Sequence, residues 1–185
     1  MRIAVSSDMD EPVARRLVDE LVRRGHAVLA FGALSSDDRQ EEKRGAELAG
    51  RAVAWGSPRP ETAGGWAWSA AAAARSVAAG EADQAVVCCW TGTGASIAAN
   101  KLPGVRAALC ADAYTAQGAR RWNDANTLAL SLRTLSGPVL EEILDAWFEG
   151  EPSQAADDRE NVAHLRALER AAAEGARDGE KGAGK

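Results

Sequence analysis

The sequence predicts an α/β protein: a three-layer α/β/α sandwich around a roughly five-stranded, parallel, Rossmann-like sheet, in a single domain. Three observations predict it. Short apolar runs alternate with segments of helical period along most of the chain, the pattern of strands joined by crossover helices. The chain opens strand–helix–strand, which demands a right-handed parallel crossover. Its 185 residues suit one domain with appendages.

The elements follow in order. Arg2–Ser7 is a short β-branched run, the first strand. Asp10-Glu11-Pro12 reads as an N-cap, an acidic first turn and an early proline. Val13, Leu17, Leu21 and Val22 then recur at helical spacing, and Gly25 closes that helix. His26–Phe31 is the second strand. Residues 32–66 break the rhythm with a charge run (Asp37 to Arg44) and a turn cluster (Gly56 to Pro60). They read as an insertion or remodelled loop holding one short helix or strand near Leu48–Trp55, either a solvated excursion or a lid over a site. Ser69–Ala79 is alanine-dense and helical by propensity. Ala85–Cys89 is a strongly apolar strand, Val105–Cys110 and Thr127–Ser131 are two more, and Ala113–Trp122 is the helix between them. Pro138–Phe148 is a helix with Leu140, Ile143, Leu144 and Trp147 on one face. The expected domain spans 1–172, with a C-terminal helical segment in 151–172 whose amphipathic part is Asn161–Ala173. Residues 173–185, rich in glycine and charge, are expected to be a disordered tail.

Composition excludes several function classes. The net charge is −5 with no basic cluster, so nucleic acid is not an expected partner. No run of about 18 apolar residues exists to span a membrane, and Asp8 comes too soon for a signal peptide. Three cysteines, two of them adjacent, make neither a disulfide framework nor a zinc site, and two histidines leave little for a metal centre. The expectation is a cytoplasmic, reduced protein with no metal and no cofactor.

In parallel sheets, ligands bind beyond the carboxyl ends of the strands, where strand order reverses. The residues there are Asp8, Cys89 to Gly94, Asp112 and Arg133. The strongest signal is Cys89-Trp90-Thr91-Gly92-Thr93-Gly94. A strand ends at a cysteine, a glycine-rich turn follows, and a helix begins. Such a turn can aim several backbone N–H groups at a phosphate or at the oxyanion of an enediolate. A thiolate beside it can take a proton from a carbon next to a carbonyl. The plainer reading is a tight turn next to a small buried hydrophobe. Cys88 points to the opposite face of the strand and belongs to the core; Cys110 does too. Asp8 is either an acid/base or hydroxyl acceptor, or a helix cap in competition with Asp10. Trp122-Asn123-Asp124-Ala125-Asn126 can fix sugar hydroxyls or simply form a turn.

The run from Gly92 to Lys101 (GTGASIAANK), followed by Gly104 to Cys110, resembles the type B ribose-5-phosphate isomerase and galactose-6-phosphate isomerase family. So do Tyr114 to Gln117, Asn123 to Asn126, Leu128 to Leu130, and Asp145 to Trp147. The resemblance covers about residues 1–170, interrupted by 32–66. It implies an α/β sandwich and a homodimer whose active sites draw on both subunits. The implied reaction interconverts an aldose phosphate and a ketose phosphate through a cis-enediolate, without a metal. By position, Cys89 matches the base, Thr91 with the backbone of Trp90, Gly92, Thr93 and Gly94 matches the anion hole, and Asp8 and Asn123 match substrate contacts.

The departures are specific. Met9 and Trp122 stand where the family has histidines, and Trp90 stands where the cysteine is normally followed by glycine. The Asp-Tyr-Pro turn is missing. The two phosphate-clamping arginines align with Asp157 or Asp158 and with Asn161, with Arg159 between them. Arg133 follows the fifth predicted strand, as an arginine does in the family. Losing two charge-assisted hydrogen bonds of about 1.5–3 kcal/mol each would weaken phosphate binding sharply. Losing a general acid costs roughly 100- to 10,000-fold. A small carbohydrate-like substrate is therefore expected, with a retained proton-transfer centre and a rewritten surround. The alternatives are an epimerase or other enolising enzyme on an unphosphorylated substrate, with Trp66, Trp68, Trp90 and Trp122 lining an apolar pocket, and a non-catalytic ligand-binding homologue.

Overall fold

A computed structural model describes residues 1–35, 53–55 and 65–182. Six parallel strands form one sheet: β1 (Arg2–Ser7), β2 (Ala27–Gly32), β3 (Val53–Trp55), β4 (Gln84–Cys89), β5 (Ala107–Leu109) and β6 (Thr127–Ser131). Their order is β3-β2-β1-β4-β6-β5. The helices are α1 (Pro12–Arg23), α2 (Trp66–Ala78), α3 (Thr93–Ala99), α4 (Ala113–Asn123), α5 (Gly137–Glu149) and α6 (Ala156–Gly182). The sandwich expected from the sequence is present. The sixth strand, β3, comes from the 32–66 segment and pairs with β2 through Val28↔Val53 to Ala30↔Trp55. That part of the segment therefore extends the sheet. The charge run and the turn cluster lie outside the described residues.

The strands are buried on both faces, and their alternation sorts side chains into two unequal layers. On one face Ile3, Val5, Val86, Cys88, Leu128 and Leu130 meet α1, α4 and α5 through Leu17, Leu21, Ala116, Leu140, Ile143, Leu144 and Trp147. Each fully buried Leu or Ile there contributes about 1.5–3 kcal/mol. On the other face Ala4, Ala85, Val87, Cys89 and Ala129 meet Ala70, Ala73 and Ala74 of α2 and Ala95, Ala98 and Ala99 of α3. This layer is made of small residues, so α2 and α3 lie close to the sheet. Trp147 fastens the first layer: its Nε1–H donates to Gln84 Oε1 at 2.7 Å, deep in the interior.

Two local expectations need correction. Asp10 does not cap α1. Glu11 occupies the N-cap without a side-chain bond, because Asp10 is drawn into an ion pair with Arg15 (Oδ1 to Nε, 2.8 Å). Proline at the first turn presets the helix without a cap. The C-terminal helix starts five residues before Asn161 and continues through Gly182, into the segment expected to be a disordered tail. Its alanines, glutamates and arginines are strong helix formers, enough to carry it past the isolated glycines. Among the described residues, no helix is long and apolar enough to cross a membrane.

Candidate active site

Strand order reverses between β1 and β4, whose neighbours run outward to β2 and β3 on one side and to β6 and β5 on the other. The crevice lies where these two strands end. Ser7 is level with Cys88 in the ladder, so Asp8 and Cys89 lie side by side at the switch point. Cys89 faces the alanine layer and is almost fully buried; Cys88 faces the larger core and is wholly buried. Burial pushes the Cys88 thiol up, and the nearby negative groups of Cys89 and Asp8 add to the rise. Cys110 is pushed up to about 12 by burial and by Asp112. Both are structural thiols in an environment that disfavours a thiolate.

Asp8 is half-buried. Its carboxyl is raised above the ordinary value by desolvation, which outweighs a hydrogen bond from its own backbone N–H. Its Oδ1 is buried without a hydrogen bond to any described residue. A raised carboxyl with an open lone pair is equipped to accept a hydroxyl proton and return it. Met9 behaves differently. Its backbone N–H donates to Ser7 Oγ at 3.1 Å, the same hydroxyl donates to its carbonyl at 2.6 Å, and its side chain packs against the core.

The turn after Cys89 is fixed by backbone bonds. The N–H groups of Gly92 and Leu132 donate to the Cys89 carbonyl at 3.3 and 3.1 Å, and Arg133 N–H and Ser131 Oγ donate to the Trp90 carbonyl, both at 3.0 Å. Arg133 is thereby held beside Trp90. Thr91 and Thr93 share a hydrogen bond of 2.7 Å between their hydroxyls, and both are exposed. Gly92 has φ +75°, and a Cβ there would lie 2.8 Å from the backbone of Leu130. Only glycine satisfies both conditions. Gly94 sits in the first turn of α3 beneath the ring of Trp66, which would lie 2.8 Å from an added Cβ.

Trp122, Asn123 and Arg159 are elsewhere. Asn123 ends α4, just before β6, and β6 runs from Thr127, level with Ala85, to Ser131, level with Cys89. Four residues of strand separate the two ends by about 13 Å. Arg121, Trp122, Asp124, Asp158, Arg159 and Arg166 line a groove of about 510 Å³ between α4 and the start of α6. Asp124, at φ +46°, is bound by Arg106 at 2.8 Å and approached by Arg166 at 3.6 Å and Arg120 at 3.9 Å. Arg121 and Arg159 form no side-chain hydrogen bond or ion pair with another described residue, and both are exposed. Of the two histidines, His26 stacks on Phe148 at 4.4 Å just ahead of β2, and burial lowers its pKa. His164 is exposed on α6. Among the described residues, no group of three or more His, Cys, Asp and Glu is placed to hold a metal.

Within one chain, then, Asp8, Cys89, Trp90, Thr91, Gly92, Thr93, Gly94 and Arg133 come together, and Trp122, Asn123 and Arg159 do not join them. Sequence reasoning undervalued Trp66, weighed only as one of four pocket tryptophans, and missed Arg121. A tryptophan opening an alanine-dense helix was the available signal for the first; nothing local marked the second.

The ribose/galactose isomerase family matches residues 56–165, more than half of the chain. The chain belongs to this family. Among ribose/galactose isomerases it is 39% identical to ribose-5-phosphate isomerase B of Escherichia coli over 105 residues, 57% of this chain and 67% of that one. It is 40% identical to D-erythrulose-4-phosphate isomerase of Pectobacterium atrosepticum over 78 residues, 42% of this chain and 51% of that one. The structure of ribose-5-phosphate isomerase B from Clostridium thermocellum superposes with a TM-score of 0.72 at 30% identity, covering 92% of this chain and 98% of that one.

Proposed function

We propose that this chain is an aldose–ketose isomerase of sugar phosphates that works as a homodimer in the cytoplasm, with Cys89 as the carbon acid's base. The observation that carries the reading is the pairing of Asp8 and Cys89 at the switch point, beside a turn that only glycine at position 92 permits. Similarity to isomerases named for four- and five-carbon sugar phosphates supports the substrate class.

The chemistry follows from these groups. The Cys89 thiolate removes the C2 proton of the open-chain aldose, and the electron pair of that C–H bond becomes the C1=C2 bond of a cis-enediolate. The carbonyl electrons move onto O1, where the uncapped N–H groups of Thr93 and Gly94 at the start of α3 and the Thr91 hydroxyl are placed to meet the charge, the Gly92 N–H being held by the Cys89 carbonyl. Asp8 takes the O2 proton and delivers it to O1, so the charge moves from O1 to O2 and Asp8 is returned to its starting state. Cys89 returns its proton to C1, leaving a ketone at C2. No atom is gained or lost.

The second half of the site comes from the partner copy in this reading. Trp122, Asn123 and Arg159 lie at the far end of their own chain, and a two-fold axis brings such a face onto the neighbour's switch point without new contacts of another kind. Arg121 and Arg159, with no carboxylate engaged, suit the substrate's phosphate. The three free cysteines suit a reducing compartment.

The test uses ribose 5-phosphate and D-erythrulose 4-phosphate in D2O. The expected outcome is exchange of the α-proton by the parent protein and a roughly 100- to 10,000-fold loss in Cys89→Ala, with the thermal midpoint unchanged. Full exchange in Cys89→Ala, or none in the parent with either sugar phosphate or its unphosphorylated counterpart, overturns the reading.

A further inference from the structure

We infer that Trp66 is a specificity-determining residue, an aromatic platform on which the C–H face of the substrate's carbon chain stacks while its reacting carbons lie at Cys89. The inference rests on the isomerase reading for the position of the reacting end, and on separate packing facts for the platform.

Trp66 begins α2, and its ring lies against Gly94, the second residue of α3; the nearest ring atoms would be 2.8 Å from a Cβ there. The next residues of α2, Ala67 and Ala70, pack in the same cluster as Cys89 and Ala95. One turn on, Ser69 lies beside Gly32 at the end of β2, which the carbonyl of Ser7, the residue just before Asp8, also approaches. The ring therefore stands at the start of a helix whose next residues pack beside the ends of β1, β2 and β4.

Its exposure marks it as more than core. Trp66 is 45% exposed although its neighbours Ala67 and Ala70 pack in the alanine layer. Its Nε1–H donates to no described residue, which leaves a hydrogen-bond donor for a sugar hydroxyl at the platform's edge. Trp68 differs: its ring folds back over Gly65. A tryptophan face is apolar with a negative quadrupole, and it favours the slightly positive C–H face of a carbohydrate chain over a charged substituent. The expected consequence is preference for an unbranched chain whose C–H face, next to the reacting carbons, carries no charged group.

Gly94 is the partner in this arrangement. Its backbone is ordinary helix, so alanine there carries no φ strain and keeps the Gly94 N–H, while its Cβ would stand 2.8 Å from the ring and push Trp66 off its seat. This gives a test with an internal control. In a Cys89→Ala background, where chemistry is blocked, ribose 5-phosphate and D-erythrulose 4-phosphate are titrated by calorimetry. Trp66→Ala is expected to weaken binding about tenfold, and Trp66→Phe to retain most of it. Gly94→Ala is expected to weaken binding to a similar degree, and adding it to Trp66→Ala to cost nothing further.

Unchanged binding in Trp66→Ala overturns the inference, and so do fully additive losses in the double variant. If the sugar phosphates bind with this Trp66 dependence but the parent exchanges no proton, the platform stands and the isomerase reading falls. If exchange occurs and binding ignores Trp66, the reverse holds. If neither compound binds, both fall.

Discussion

The two ends of this sheet are built on different principles. At the carboxyl end of β4, geometry is set by backbone: two carbonyls each accept two donors, a left-handed glycine has no room for a side chain, and Cys89 is locked into an alanine layer. At the other end, the α4–α6 groove is set by side chains: Asp124 gathers three arginines, and Trp122 lies against Tyr114 and over Gly118. Backbone constraint tolerates little change, because each bond fixes the next. Side-chain constraint can be rewritten one residue at a time.

The sharpest way to break this comparison is to test whether the two ends meet in one site. Cys89→Ala and Arg159→Ala, each inactive or nearly so alone, are mixed and refolded together. If partner chains complete each other's sites, random pairing gives half heterodimers with one intact site each, restoring about a quarter of parental activity. Activity that stays at the sum of the two variants would place both ends in separate roles.

A smaller effect probes the backbone-built end. Gly92→Ala is expected to cost roughly 1–3 kcal/mol in urea unfolding, from the positive φ and the Leu130 contact. Thr91→Ala, in the same turn but exposed, is expected to change stability by less than about 0.5 kcal/mol. Equal costs for the two would remove the case for backbone control.

The smallest effect concerns pH. Burial raises the Asp8 pKa in the folded chain, so ionising Asp8 opposes folding. That cost is absent below the unfolded carboxylate value near 4. It grows as pH rises from there to the folded pKa and stays constant above it. Asp83 has the opposite sign: Arg2 holds its carboxyl below the ordinary value, so its contribution is present at neutral pH and lost as pH falls through the folded pKa. Asp8→Asn is therefore expected to raise the thermal midpoint at pH 7 and leave it unchanged at pH 3, while impairing turnover. Asp83→Asn is expected to lower the midpoint at pH 7. A fall for Asp8→Asn at pH 7 would contradict the cost assigned to its burial.

Legibility divided along the same line. Parallel strands, the opposite faces of Cys88 and Cys89, and the glycine-rich turn were readable because strand periodicity and positive-φ glycine leave local marks. β3 was only half-readable, since three residues of edge strand carry too little pattern. The capping of α1 was misread because a salt bridge competed for Asp10. The extent of α6 was misread because glycine and charge suggested disorder where alanine, glutamate and arginine supply helix. Trp66 on Gly94 joins residues 28 apart in sequence, and no local rule reports such a contact.

The buried bond between Trp147 and Gln84 has a spectroscopic consequence. Of the tryptophans whose side chains are described, Trp147 alone is shielded from solvent; Trp66, Trp68, Trp90 and Trp122 are all exposed. Emission from this protein therefore separates into a blue component, deaf to iodide, and a red component that iodide quenches. The first follows the integrity of the interior. The second watches the rim of the crevice and the groove, so occupancy and unfolding can be told apart in one cuvette.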